Sequence, residues 1–199
     1  MFLARLRLNR SRVAVSWAAN PYRVHQRLMM AYEGEDRLLF RIEQLADETQ
    51  LLIQSHIAPK WEAAFADFAV LGCPPECKTF DPLLEAGRCY RFRLRANPTV
   101  KRDGKRLGLF DEEEQRAWLA RKLRDAGTEL LGCMTVVEGL QRVQKNPRKD
   151  AAVHTHFAVL FEGTLRARDP AALVVALESG IGSAKGYGFG LLSLAPAPK

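Results

Sequence analysis

Cys89-Tyr90-Arg91-Phe92-Arg93-Leu94-Arg95-Ala96-Asn97-Pro98 alternates apolar and basic residues and then stops at a proline. A period of two is the mark of a strand with one buried face. Phe92, Leu94 and Ala96 point to one side of it, and Arg91, Arg93 and Arg95 to the other. The stretch decides the fold because the chain also opens on an alternating segment, residues 2–9, and the same order of elements follows each of the two.

In the first run a helix starts at Asn20-Pro21, with Asn as N-cap and Pro in the first turn, and continues to about Tyr32. Residues 38–45 and 50–57 read as strands joined by Ala46-Asp47-Glu48. Residues 60–71 read as a helix, and Lys78-Thr79-Phe80 as a closing strand. In the second run a basic loop follows the strand. Residues 112–126 then form a helix whose acidic first turn and late Lys122 and Arg124 suit the helix dipole. Strands at 130–143 and 153–168 flank Asn146-Pro147-Arg148-Lys149-Asp150, a helix runs from Asp169-Pro170 to about Ser179, and 191–195 closes the order. Two βαββαβ runs predict an α+β protein with two antiparallel sheets, each with helices on one face. The domains are expected at 1–87 and 88–199, with the boundary near residues 82–87.

The chain has 199 residues, 47% hydrophobic and 27% charged, the balance of a globular protein rather than a disordered one. No apolar run approaches the roughly 20 residues of a membrane helix. Met1-Phe2-Leu3-Ala4-Arg5-Leu6-Arg7 has the pattern of neither a signal peptide nor a transit helix, so a cytoplasmic protein without a membrane partner is expected. The net charge of +7 is unevenly spread: residues 1–87 carry 10 Lys/Arg against 11 Asp/Glu, and residues 88–199 carry 20 against 12. A basic half suggests a polyanionic partner, most often nucleic acid, although basic surfaces also serve solubility.

Cys73, Cys77, Cys89 and Cys133 do not form a disulfide framework in a chain of this length. Cys73-Pro-Pro-Glu-Cys77 could hold half of a zinc site, but a structural zinc needs four converging ligands, and His154 and His156 are remote. Ordinary thiols and no metal site are expected.

On the first helix Val24, Leu28 and Ala31 share the core face. Tyr22, His25, Gln26 and Met29 lie opposite, and Tyr22 and His25, three apart, are neighbours. A phenol beside an imidazole that titrates near neutrality can move a proton. A solvated surface histidine is the plainer reading of His25 alone.

Stacked Arg91, Arg93 and Arg95 repel one another unless an anion covers them. With Lys101, Arg102, Lys105 and Arg106 they make seven cations between positions 91 and 106, against the single acid Asp103. A phosphate backbone would account for this, and so would glutamates from another element. Arg142, Lys145, Arg148 and Lys149 surround the expected second-run hairpin tip, where exposed cations can equally be incidental. Gly180, Gly182, Gly186, Gly188 and Gly190 place five glycines in eleven residues around Lys185. Such a segment can bring backbone N–H groups to a phosphate, or can simply be a mobile turn. Its position after a helix and before a strand excludes the usual nucleotide loops, which run strand, loop, helix.

Taken together, Phe2-Leu3-Ala4-Arg5-Leu6, Tyr22-Arg23-Val24-His25-Gln26, Tyr90 to Pro98, Ala117-Trp118-Leu119, Phe161-Glu162-Gly163 and Gly180-Ile181-Gly182 through Pro196 resemble the CasE family of CRISPR-associated endoribonucleases of Cascade-type systems. The resemblance implies tandem ferredoxin-like domains, and cleavage of a hairpin-forming CRISPR repeat RNA without metal or other cofactor. It also implies retention on the product among the other subunits of a Cascade-type complex. It puts the family's catalytic histidine and its tyrosine on His25 and Tyr22. The RNA-binding residues expected beside them are Arg91, Arg93, Arg95, Lys101, Arg102, Lys105, Arg106, Arg142, Lys145, Arg148, Lys149, Gly182, Lys185, Gly186 and Gly188. The competing reading is a non-catalytic RNA-binding subunit that caps a ribonucleoprotein complex.

Overall fold

A computed structural model describes residues 1–34, 37–144 and 153–198. The first sheet contains β1 (Phe2–Arg7), β2 (Leu39–Gln44), β3 (Thr49–Ser55) and β4 (Glu76–Thr79), in the order β2-β3-β1-β4. All its ladders are antiparallel, with Leu6 opposite Leu51 and Ala4 opposite both Ile53 and Cys77. The second contains β5 (Cys89–Ala96), β8 (Thr128–Gln144), β9 (Val153–Ala167) and β10 (Leu192–Pro196), in the order β10-β5-β9-β8. Both have the outer-strand and central-strand order of a βαββαβ unit, so the two-sheet α+β reading and the tandem ferredoxin-like architecture hold.

The first sheet packs Ala4, Leu6, Leu51, Ile53 and Phe40 against helices α1 (Arg12–Ala18) and α2 (Pro21–Met29). Trp17 of α1 meets the edges of Phe65 and Phe68, at centroid distances of 6.0 and 5.5 Å. In the second unit, Phe92 and Leu94 of β5 with Phe161 and Leu165 of β9 pack on Trp118, Leu119 and Leu123 of α4 (Glu112–Asp125) and on Leu173 and Leu177 of α5 (Pro170–Ser179). Caps set the helix starts. Asn20, Asp111 and Asp169 each accept a hydrogen bond from the backbone N–H three residues on, at 3.0–3.2 Å.

By compactness the chain divides into two units. One contains Met1–Asp81, Lys185–Gly188 and the described ends of Val143–His154; the other contains Pro82–Arg142, Thr155–Ala184 and Phe189–Lys199.

Three segments differ from the sequence reading. Helix α1, which that reading does not include, carries its own signal: Ser11 caps it, accepting from the Ala14 N–H at 3.1 Å, and Ala14, Trp17 and Ala18 are buried at helical spacing. The helix expected at 60–71 is only α3 (Trp61–Phe65). Its continuation is claimed by the end of β1: Asn9 N donates to Val70 O at 2.8 Å, Gly72 N to Arg7 O at 2.9 Å, and the Asn9 amide to Ala69 O. The basic loop is a two-stranded hairpin, β6 (Thr99–Arg102) with β7 (Lys105–Gly108). Asp103 (φ 49°) and Gly104 (φ 75°) are both left-handed at its turn, the conformation for which Asp-Gly is favoured.

Gly163, opposite Phe92 in the β5–β9 ladder, lies against β8 so closely that a Cβ there would be 2.0 Å from the Gly132 carbonyl oxygen. No rotamer relieves a backbone clash, so Gly163→Ala must part β8 from β9. A loss of about 1–3 kcal/mol or more is expected, read as a lower urea midpoint.

Candidate functional site

Helix α2 carries Tyr22 and His25, and its buried side is Pro21, Val24 and Leu28, as the spacing predicts. The opposite side is partly covered, although Gln26 on it remains exposed. The 3-10 turn Lys185–Tyr187 packs on α2 and β2, and both Tyr22 and His25 are half-buried. The plainer reading of His25 as a solvated surface histidine is thereby corrected. Helix periodicity separates the core face from its opposite, but it cannot show that a segment 160 residues later covers that opposite face.

The His25 imidazole lies parallel to the ring of Phe40, with an interplanar angle of 8° and centroids 6.1 Å apart. Phe40 itself is fully buried in β2. Against the same imidazole sits the Gly186 backbone: a Cβ there would lie 3.3 Å from His25 Cδ2 and 3.4 Å from Nε2. Gly188 approaches Phe40 in the same way, its notional Cβ 3.3 Å from Cε2, and has a φ of +80° that favours glycine. Tyr22 stacks on Tyr187 at 5.8 Å, and His154 leans on Tyr187 at 5.9 Å. Phe40, Tyr187 and His154 are thus site neighbours that the sequence reading missed. Tyr187 stands inside the glycine string, where an aromatic among glycines was the available signal.

His25 Nδ1 is buried, with no hydrogen-bond partner among the described residues. Burial pushes the imidazole pKa below the ordinary histidine value of about 6.5, because the cation would be poorly solvated. At neutral pH the ring is uncharged and able to accept a proton.

The arginine row of β5 is largely paired internally. Arg93 faces Glu162 across the β5–β9 ladder, and its Nε donates to Glu162 Oε1 at 2.6 Å. Arg95 Nε donates to Glu138 Oε2 at 2.7 Å, and its guanidinium sits 4.4 Å from the centre of the Phe189 ring. Arg95 is only 8% exposed, whereas Arg91 is exposed. Glutamates from β8 and β9 therefore supply anions over Arg93 and Arg95, and these two need no phosphate to explain them. Asn97 likewise binds within its own unit, its side chain accepting from Phe157 N at 3.1 Å.

Lys101, Arg102, Lys105 and Arg106 stand exposed on the β6–β7 hairpin. Only Arg102 has an acid within ion-pair range there among the described residues, Glu114 at 4.0 Å. Arg142 is exposed near the end of β8, while Lys145, Arg148 and Lys149 lie outside the described residues. Gly182 (φ +86°) packs against Trp118, where a Cβ would meet the indole at 3.2 Å. All four cysteines are free thiols, and no three potential metal ligands converge among the described residues.

The family model described as CRISPR associated protein matches residues 1–196. The chain is 37% identical to the CRISPR-associated endoribonuclease Cse3 of Thermus thermophilus, over 98% of this chain and all of that one. It is 32% identical to the CRISPR system Cascade subunit CasE of Escherichia coli, over 92% and 96% of the two chains. A structure of Cse3 bound to a 19-nucleotide RNA superposes with a TM-score of 0.85 at 37% identity, covering 98% of this chain and 100% of that one. A family match over nearly the whole length, on a fold of the same architecture, leaves one assignment: this protein belongs to the CRISPR associated protein family, alongside Cse3 and CasE.

Proposed function

We propose that this chain is a CRISPR-associated endoribonuclease that cuts a hairpin-forming repeat RNA and stays on the product within a Cascade-type complex. The observation that carries the reading is a half-buried His25 beside Tyr22, on a chain 37% identical over 98% of its length to an endoribonuclease. RNA supplies its own nucleophile, so acid/base groups suffice for the chemistry. His25 accepts the proton of the 2′-hydroxyl as the O2′–P bond forms and the P–O5′ bond breaks. The leaving 5′-oxygen takes a proton back from the His25 imidazolium or from water, so the products are a 2′,3′-cyclic phosphate and a 5′-hydroxyl fragment. With Nδ1 buried, exchange with substrate falls to Nε2. Tyr22 orients the nucleophile or shares the proton transfer, and Lys185 offers a cation for the charged phosphorane.

Substrate is held by the exposed cations Arg91, Lys101, Arg102, Lys105, Arg106 and Arg142, with Lys145, Arg148 and Lys149 as further contacts. A paired stem is read by its shape, with help from major-groove contacts at distorted or terminal pairs. A cytoplasmic location suits an RNA-processing subunit, and no described helix is long and apolar enough to cross a membrane.

In EDTA-containing buffer, His25→Ala is expected to slow single-turnover cleavage about 10²–10⁴-fold with hairpin affinity nearly unchanged. A 2′-deoxy nucleotide before the cut should block cleavage and not binding. Undiminished cutting by His25→Ala would favour the RNA-capping reading, and cutting of the deoxy substrate would remove the 2′-hydroxyl as nucleophile.

The pH profile has a definite sign. The active base is the neutral imidazole and its pKa is depressed, so the rate should rise with pH and reach its plateau early. The midpoint of the acid limb is expected below about 6.5; a midpoint above that value would contradict a desolvated base.

Charge reversal on the β6–β7 hairpin, Lys105→Glu with Arg106→Glu, should weaken binding and flatten its salt dependence by roughly 0.9 in slope for each duplex phosphate no longer neutralised. Filter binding across a salt series measures both effects, and an unchanged slope would take the hairpin out of the RNA interface.

A further inference from the structure

The geometry points to a positioning role for the 3-10 turn Lys185–Tyr187: Gly186 backs the imidazole of His25, and Tyr187 backs the ring of Tyr22. This deepens the endoribonuclease reading and rests on it. A glycine-rich segment beside a lysine suggests a cradle for phosphate, but the space in front of Gly186 is already filled by protein. A Cβ on Gly186 would stand 3.3 Å from His25 Cδ2 and 3.4 Å from Nε2, the nitrogen left to exchange a proton with substrate. On Phe40, the ring stacked with that imidazole, Gly188 makes the same kind of close approach. Two glycines two residues apart thus each lack a side chain where an aromatic ring already lies.

The residue between them completes the arrangement. The Tyr187 ring stacks on Tyr22 with an interplanar angle of 28° and also contacts His154. A phenol able to swing about χ1 would spend little time where it can act on a reacting oxygen, and a stacked neighbour restricts that swing. Misplacement of a catalytic group by about 1 Å can cost roughly 10²-fold in rate. One turn therefore constrains both members of the pair from the side away from the α2 core face.

Gly186→Ala tests the contact without straining the backbone, because Gly186, unlike Gly188, has no left-handed φ. The added methyl must move the imidazole by a few tenths of an ångström and adds apolar surface beside Nε2. Saturated, single-turnover cleavage by the full chain is expected to fall about tenfold, and the acid limb of the pH profile to move to lower pH. Affinity for a non-cleavable 2′-deoxy hairpin is expected to stay within about threefold. Tyr187→Leu, a second variant that does not depend on the first folding well, should also lower the rate and spare affinity, with Tyr187→Phe recovering most of the loss. In a Tyr22→Phe background, where no phenol remains to be placed, Tyr187→Leu should cost little more.

Loss of hairpin affinity with an unchanged saturated rate in both Gly186→Ala and Tyr187→Leu would overturn the proposal and make the turn an RNA-binding element. Full additivity of Tyr187→Leu with Tyr22→Phe would overturn the Tyr187 half. Wild-type cleavage by His25→Ala, run in the same series, would instead overturn the assignment of the chemistry to His25 on which the proposal rests.

Discussion

The site depends on the burial of one imidazole against one phenyl ring. Phe40 is a core residue of the first sheet, fully enclosed, and His25 is laid flat on it by a helix whose other side is locked into the same core by Val24 and Leu28. A ring held this way cannot be well hydrated, so its charged form is disfavoured and it stays a base at neutral pH. Burial is the cause of the lowered pKa. The energy that builds the core therefore also sets the chemistry of the side chain resting on it.

The same burial dictates the glycines. Once His25 and Phe40 occupy their places, the segment passing over them has room for backbone and little else, at Gly186 and at Gly188. Elsewhere the fold uses glycine for similar reasons: Gly163 lets β8 and β9 approach, and Gly182 accommodates Trp118. Close approach of rings and strands is a recurring role of glycine in this chain.

Charge follows a comparable division between inside and outside. The C-terminal half holds the basic excess, but part of its arginine is committed to the protein itself. Arg93 and Arg95 pair with Glu162 and Glu138, and Arg166 and Arg168 share Glu129. Arg95 is buried while Glu138 keeps access to water, so the cost of breaking this pair falls mainly on the enclosed guanidinium. The cations that stay exposed include those on the β6–β7 hairpin, where lysine and arginine stand with few acids nearby among the described residues.

Features that depend on near neighbours along the chain are legible in the order of its residues. Asn20, Asp111 and Asp169 mark helix starts because each cap bonds a backbone group three residues on. Strand faces follow from a period of two, the core side of α2 from its helical spacing, and the two βαββαβ runs from the order of these elements. Even Tyr22 and His25 could be singled out, because one helix places them side by side. The tertiary structure alone decided matters that hang on distant partners. It ended the third helix at Phe65, because Asn9 and Arg7 take the backbone beyond it. It supplied glutamates to Arg93 and Arg95, and brought Gly186 and Tyr187 onto α2 across some 160 residues of chain. Local pattern reports which way a side chain points; what it meets there is set only when segments remote in sequence close around a common core.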